Sequence, residues 1–311
     1  MLVADSLDSI PHTDKPVILT IGNFDGVHLG HHALLSHLKK IAKERGALAA
    51  ALTYSNHPSC VLNPARATPL LCTIPHKIKL LEEEQLAITV LVPFTNEFAR
   101  QSADTFLRRL KSTVNLDLLI LGSDAHIGKD REGDQSTVSK LAQELGFSVE
   151  YFSDYLCRGE RISSSRIRNE LISGQLETAS ELLGRPYSIY STVVKGNGKG
   201  TTIGFPTANI DVKNLCLPPQ GVYVVTLKHD DTLFNGIANL GVAPTLRDSA
   251  TPVLEVHLFD VQHHLYGETV EVIFHKYLRP ERKFDSVTDL SAQIALDIAQ
   301  AKLSSSSVKK T

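Results

Sequence analysis

The chain has 311 residues, 42% hydrophobic and 21% charged, the composition of a globular protein long enough for two domains. Lys and Arg total 32 against 34 Asp and Glu, a net charge of −2, which argues against the broad basic field of a nucleic-acid binder. No apolar run approaches the ~20 residues that span a bilayer.

Residues 1–15 lack the apolar core of a signal peptide, and Cys60, Cys72, Cys157 and Cys216 form no C-x-x-C pair. Reduced cysteines, a cytoplasmic location and no membrane or nucleic-acid partner are therefore expected. The oligomeric state is left open.

In chain order, an apolar run at 17–21 ending in Gly22 predicts a first strand. Leu34, Leu38, Ile41 and Ala42 then share one helical face, stopped by Gly46. Strands follow at 47–54, 88–92, 116–121 and 147–151, with helices between them at 75–84, 102–111 and 135–145. Two more helices are expected around 165–172 and 176–183. Strands alternating with helices imply an α/β domain, a parallel sheet covered on both faces, over residues 1–184.

After Gly184 the pattern changes to short β runs at 188–194, 221–227, 234–240, 253–259 and 269–277, separated by Gly, Pro, Asn and Asp. This predicts an antiparallel barrel or sandwich over 185–303, closed by a helix at about 287–302. The Ser-rich tail 304–311 is expected to fray.

Open parallel sheets bind ligands beyond the carboxyl ends of their strands. After the first strand comes Gly22-Asn23-Phe24-Asp25-Gly26-Val27-His28-Leu29-Gly30-His31. Its glycines permit tight turns, and its two imidazoles stand at a helix entry, where free N–H groups attract anions. His57 follows the second strand and Asp124 the fourth. Beyond the fifth lies Arg161-Ile162-Ser163-Ser164-Ser165-Arg166-Ile167-Arg168, a second anion cradle. Each piece alone has an ordinary reading as a turn, a cap or a solvated charge. Their convergence on one edge favours a phosphate site, and no Walker A pattern is present.

The β-rich half carries Lys195-Gly196-Asn197-Gly198-Lys199-Gly200, then Gly204-Phe205-Pro206-Thr207-Ala208-Asn209. The glycines suit a loop around phosphates, although a plain flexible hairpin reads the same way. Thr207 and Asn209, two apart in an extended segment, face the same side and offer hard oxygens to a magnesium ion.

The first motif, in its Phe-Asp-Gly form and with the Ser-Ser-Ser-Arg run, resembles the HxGH nucleotidyltransferases, specifically the adenylyltransferase half of bacterial bifunctional riboflavin kinase/FAD synthetases. The segment Pro93-Phe94-Thr95-Asn96-Glu97-Phe98-Ala99 is similar to that family too. Gly204 to Asn209, Gly236-Ile237-Ala238-Asn239-Leu240-Gly241 and Glu255-Val256-His257-Leu258-Phe259-Asp260 resemble its riboflavin kinase half.

The resemblance implies a Rossmann-like nucleotidyltransferase domain followed by a β-barrel kinase domain. It implies ATP, Mg²⁺, riboflavin, FMN and FAD as the small molecules handled, with FMN made first and FAD second. By family position His28 and His31 support the reacting phosphate and Glu255 serves the kinase step. Gly22, Phe24, Gly30, His57, Asp124, Arg161, Ser164, Ser165 and Arg168 line the first nucleotide site. Gly196, Gly198, Gly200, Gly204 and Thr207 line the second, with Thr207 and Asn209 on the metal and Arg279 and Phe284 on the flavin.

The sequence departs from the family at Asn56, where Pro is usual, and at Ala125, where aromatic residues are common. A chain with kinase activity alone, a flavin binder without turnover and an RNA-directed protein are the rival readings.

Overall fold

The computed structural model describes residues 1–10, 12–196, 199–243, 251–259 and 265–308. Contacts divide it into two compact units, Met1–Leu70 with Lys77–Ser164, and Leu71–His76 with Ser165–Thr311.

The first unit runs β1 (Leu2–Ala4), β2 (Val17–Ile21), α1 (Leu29–Glu44), β3 (Leu48–Tyr54), α2 (Ser59–Leu62), α3 (Ile74–Glu83) and β4 (Ile88–Val92). It continues with α4 (Asn96–Ala99), α5 (Ala103–Thr113), β5 (Leu116–Gly122), α6 (Gln135–Leu145), β6 (Ser148–Phe152) and the small ribbon β7 (Leu156–Cys157) and β8 (Glu160–Arg161). The sheet order is β1-β4-β3-β2-β5-β6, and every pair is parallel.

Alternation along its strands feeds two cores. Val17, Leu19, Ala50, Leu52, Leu119 and Leu121 join one cluster, while Ile18, Ala49, Ala51, Leu118 and Ile120 join another. A sheet buried on both faces explains why these strands read as unbroken apolar runs. The chain leaves β2 toward β3 and β4 on one side and returns to β5 and β6 on the other. The switch therefore lies between β2 and β5, where a crevice opens at the strand ends.

Helix α7 (Ser164–Ile172) begins at the last residue of the first unit. The second unit adds α8 (Leu176–Leu183), β9 (Ser188–Val194), α9 (Lys199–Thr202), β10 (Ala208–Ile210), β11 (Gly221–His229), β12 (Thr232–Ala243), β13 (Thr251–Leu258), β14 (Thr269–Arg279) and α10 (Val287–Val308). Its six strands close an antiparallel barrel in the order β10-β13-β12-β11-β14-β9.

Val222, Val224 and Ile237, on one face of β11 and β12, cluster with Ala301, Ile294 and Ile298 of α10. That helix continues through residues 304–308, part of the tail expected to fray, because extending a formed helix adds one hydrogen bond per residue ordered. By contacts the helices over 165–183 group with the barrel, whereas the change of sequence pattern falls at Gly184, the left-handed cap of α8 (φ 75°).

Candidate active sites

The first cavity, about 310 Å³, opens at the β2/β5 switch. Its lining includes Ile21, Gly22, Phe24, His28, Gly30, His31, Gly122, Asp124, Ala125, Phe152, Tyr155, Arg161 and Ser164. The loop after β2 makes this geometry. Phe24 (φ 47°) and Val27 (φ 37°) hold a left-handed backbone that side-chain-bearing residues seldom adopt, a form of local strain that concentrates at functional sites.

Lys77, 1% exposed, pins the loop from below by donating to the carbonyls of Asn23 at 2.8 Å and Tyr54 at 3.0 Å. Thr53 Oγ1 also donates to the Asn23 carbonyl at 3.0 Å.

His28 is the N-cap of α1. Its Nδ1 accepts the His31 N–H at 3.3 Å, and the Nδ1 of His31 accepts the His28 N–H at 3.3 Å. An acceptor Nδ1 carries no proton, so each neutral ring bears its proton on Nε2. The pair thus presents two Nε2–H donors at a helix N-terminus, a setting that favours anionic oxygen. Gly30 makes room for it: a Cβ there would lie 3.2 Å from the His28 ring.

Arg161 sits at the rim in an ionic cluster. It reaches Asp124 Oδ1 at 2.8 Å and Asp154 Oδ1 at 3.1 Å, and Ser123 Oγ donates to the same Asp154 oxygen at 2.8 Å. The hydrogen bond from Arg161 holds the Asp124 carboxyl below the usual carboxylate range. Ser164 Oγ donates to the Asp25 carbonyl at 3.0 Å, which joins the start of α7 to the motif loop.

His57 is not among the cavity's lining residues. Its Nδ1 accepts the Ser59 N–H at 3.1 Å and lies 2.7 Å from Ser59 Oγ, a local turn cap. Ser165 is exposed and Arg168 is 8% exposed, and both belong to the second unit.

The second cavity, about 340 Å³, lies between the outer face of the barrel and α10. Register explains its composition. Asn209 on β10 pairs with Glu255 on β13, Glu255 with Asn239 on β12, Asn239 with Val222 on β11, and Val222 with Arg279 on β14. All but Asn209 line the cavity, together with Gly200, Thr207, His257, Glu281, Arg282, Phe284, Leu290, Ile294 and Asp297.

His257 Nδ1 lies 2.9 Å from the Pro206 carbonyl and anchors the segment entering Thr207. Gly200 and Gly196 permit close packing. A Cβ on Gly200 would stand 2.4 Å from the Phe205 carbonyl oxygen, and one on Gly196 only 2.1 Å from Asn209 Nδ2. Gly204 takes φ 86°. Gly198 lies outside the described residues.

Arg279 is held by Asp297 of α10, with Nε to Oδ1 at 2.9 Å and Nη2 to Oδ2 at 2.7 Å. Its guanidinium carbon stands 5.9 Å from the Phe284 ring centre, while that of Arg282 is nearer at 4.8 Å.

Family models match in both halves: FAD synthetase over residues 10–166 and riboflavin kinase over 183–304. A bifunctional riboflavin kinase/FMN adenylyltransferase of Haemophilus influenzae is 39% identical over 91% of this chain and 92% of its own. The chain belongs to the bifunctional riboflavin kinase/FMN adenylyltransferase family. The Bacillus subtilis member is 36% identical, covering 91% of both chains. A solved structure described as a macrolide-efflux protein of Streptococcus pneumoniae is 27% identical, with a TM-score of 0.82 over 97% of this chain and 98% of that one. Among the described residues no helix is long and apolar enough to cross a membrane.

As a member of this family the chain is a bifunctional enzyme, a riboflavin kinase and an FMN adenylyltransferase, and the kinase-only reading gives way. Two departures from the family's pattern find physical context. Asn56 donates to the Phe94 carbonyl at 2.9 Å and accepts the Phe94 N–H at 2.8 Å, tying the end of β3 to the segment after β4. Ala125 supplies no ring to the first cavity, but Phe24, Phe152 and Tyr155 do.

Sequence reasoning missed Lys77, Asn239, Glu281 and Asp297 as site residues. Lys77 shares a helical face with buried Leu80 and Leu81, and Asp297 one with Ile294, Ile298 and Ala301. A charge inside an apolar stripe was the available signal.

Proposed function

We propose that the two activities are divided between the two cavities. The barrel cavity transfers the γ-phosphoryl group of ATP to the 5′-hydroxyl of riboflavin. The cavity at the sheet's switch point transfers AMP from a second ATP to FMN, releasing pyrophosphate. The functional boundary is placed near Gly184, and the substrates are small molecules handled in the cytoplasm. That location is supported by the family and by cysteine spacings without a disulfide framework.

In the kinase step Glu255 accepts the proton of the hydroxyl whose oxygen attacks the γ-phosphorus, and ADP leaves. Thr207 and Asn209 are hard oxygen donors suited to Mg²⁺, which commonly takes few protein ligands and shares the phosphates. The metal would neutralise charge on the ATP phosphates. Gly196, Gly200 and Gly204 shape the loop over those phosphates, and Phe284 borders the flavin. Arg279, held by Asp297 of α10, lies on the flavin side with it.

In the adenylyl step an FMN phosphate oxygen, already anionic, attacks the α-phosphorus of ATP. The work is positioning and charge stabilisation. The Nε2–H groups of His28 and His31 meet the charge that builds there. By their place in the family motif Ser164, Ser165, Arg161 and Arg168 hold the ATP phosphates. Gly22, Phe24, Gly30 and Asp124 form the walls, and His57 caps the short turn that follows β3.

The observation that carries this division is the stacked histidine pair in one cavity and Glu255, flanked by Asn209 and Asn239, in the other. Purified protein is incubated with riboflavin, ATP and Mg²⁺, and the flavins are resolved by chromatography. His28→Ala should make FMN and no FAD. Glu255→Ala should make no FMN from riboflavin yet convert supplied FMN to FAD. Loss of both products in both folded variants refutes the division.

A further inference from the structure

Asn239 and Glu281 are polar residues of the barrel cavity that neither reaction step uses. Asn239 Nδ2 donates to Glu281 Oε1 at 3.1 Å. A carboxylate can only accept, so this contact fixes the amide: nitrogen toward Glu281, with Oδ1 left as an acceptor. Glu281 is pressed against β12, where a Cβ on Gly241 would lie 2.2 Å from its Oε1. The strand has glycine where this carboxylate rests.

The position within the row gives the pair its meaning. Glu255, Asn239 and Val222 occupy successive strands, each step about 4.8 Å. On one side of Asn239 stands the group that takes the reacting hydroxyl's proton. On the other stands Val222, in the apolar wall with Ile237 and Ile294. A flavin with its ring on that wall and its terminal hydroxyl at Glu255 must lay its polyol chain across Asn239.

A second carboxylate is poorly suited to polyanionic phosphates, which it repels. An acceptor-only oxygen beside an oriented amide does suit a run of hydroxyl donors. We propose that Asn239 and Glu281 form a polyol-reading element that binds the secondary hydroxyls of the ribityl chain and sets the kinase's substrate specificity. This rests on the flavin occupying the barrel cavity as assigned above.

The test compares riboflavin with a flavin bearing a 5-hydroxypentyl chain, which keeps the ring and terminal hydroxyl and lacks the three secondary hydroxyls. Sites built to bond hydroxyls reject analogues lacking them strongly, so the wild-type enzyme should prefer riboflavin in kcat/KM by about a hundredfold or more. Asn239→Ala and Glu281→Ala should each lower kcat/KM for riboflavin roughly tenfold, chiefly through KM, and leave the analogue within about twofold. Glu281→Gln should restore part of the loss. Retained phosphorylation of the analogue by the same preparations reports that the barrel is folded.

Equal losses on both flavins, or a shifted pH profile for the analogue, would assign the pair to structure or to Glu255 and overturn the proposal. So would a wild-type enzyme that phosphorylates both flavins equally well, a result that leaves the division of activities standing.

Discussion

The rings of His28 and His31 stack with centroids 3.6 Å apart and planes 14° from parallel, each ring capping the other residue's backbone. Two imidazoles this close would repel strongly if both were charged. The aim of both rings depends on the backbone beneath them.

That backbone includes Gly30. Gly30→Val would push branched carbon into the His28 ring, already 3.2 Å from where a Cβ would stand. Adenylyl transfer from ATP to FMN should fall at least about tenfold, because small misplacements of reacting groups are costly. Riboflavin phosphorylation should stay at the wild-type rate, and steady-state assays of both steps on one preparation check this.

In the barrel, Gly196→Ala would force the Asn209 side chain from its place, since the new carbon would sit 2.1 Å from Nδ2. Kinase turnover should drop roughly tenfold. The Mg²⁺ concentration for half-maximal rate should rise. An unchanged magnesium dependence would remove Asn209 from the metal's surroundings.

Asp297 is 2% exposed and takes three hydrogen bonds from Arg279 and one from Gln293 Nε2 at 2.8 Å. Asp297→Ala leaves a largely buried guanidinium without its anion, which costs roughly 3 kcal/mol. Urea denaturation followed by far-UV circular dichroism should show that loss, and KM for riboflavin should rise as α10 loosens.

Asp134 caps α6 by accepting the Thr137 N–H at 2.8 Å, and hydrogen bonds from Thr137 and Ser136 draw its pKa down to about 2. A lowered folded-state pKa stabilises the protein fully above the unfolded value near 4. That contribution fades as pH falls toward about 2. Asp134→Asn keeps a good cap but cannot titrate. Its melting temperature should fall less steeply than the wild type's between pH 4 and pH 2.

Much of this architecture was legible from periodicity. β2, β4, α6, α8 and β9 begin and end where the apolar patterns place them, because each pattern is terminated by a Gly, a Pro, a cap or a charge. The three-residue strands β1 and β10 escaped notice. They are too short to show a period and exist through pairing with β4 and with β13 and β9. The His and Glu motifs carried an expectation of chemistry in the sequence itself, whereas Asn239 became visible only once register set it beside Glu255. Cross-strand neighbours sixteen residues apart leave no local trace.

The row running Asn209, Glu255, Asn239, Val222 and Arg279 also says how this kinase can vary. Hairpin tips can lengthen or shorten without disturbing it. A single residue inserted in β13 ahead of Glu255 would instead turn every later side chain of that strand to the opposite face, burying Glu255 where Val256 now packs. The barrel's hydrogen-bond ladder thus acts as the ruler for the chemistry, and strand length, more than loop sequence, should be the dimension that change cannot touch.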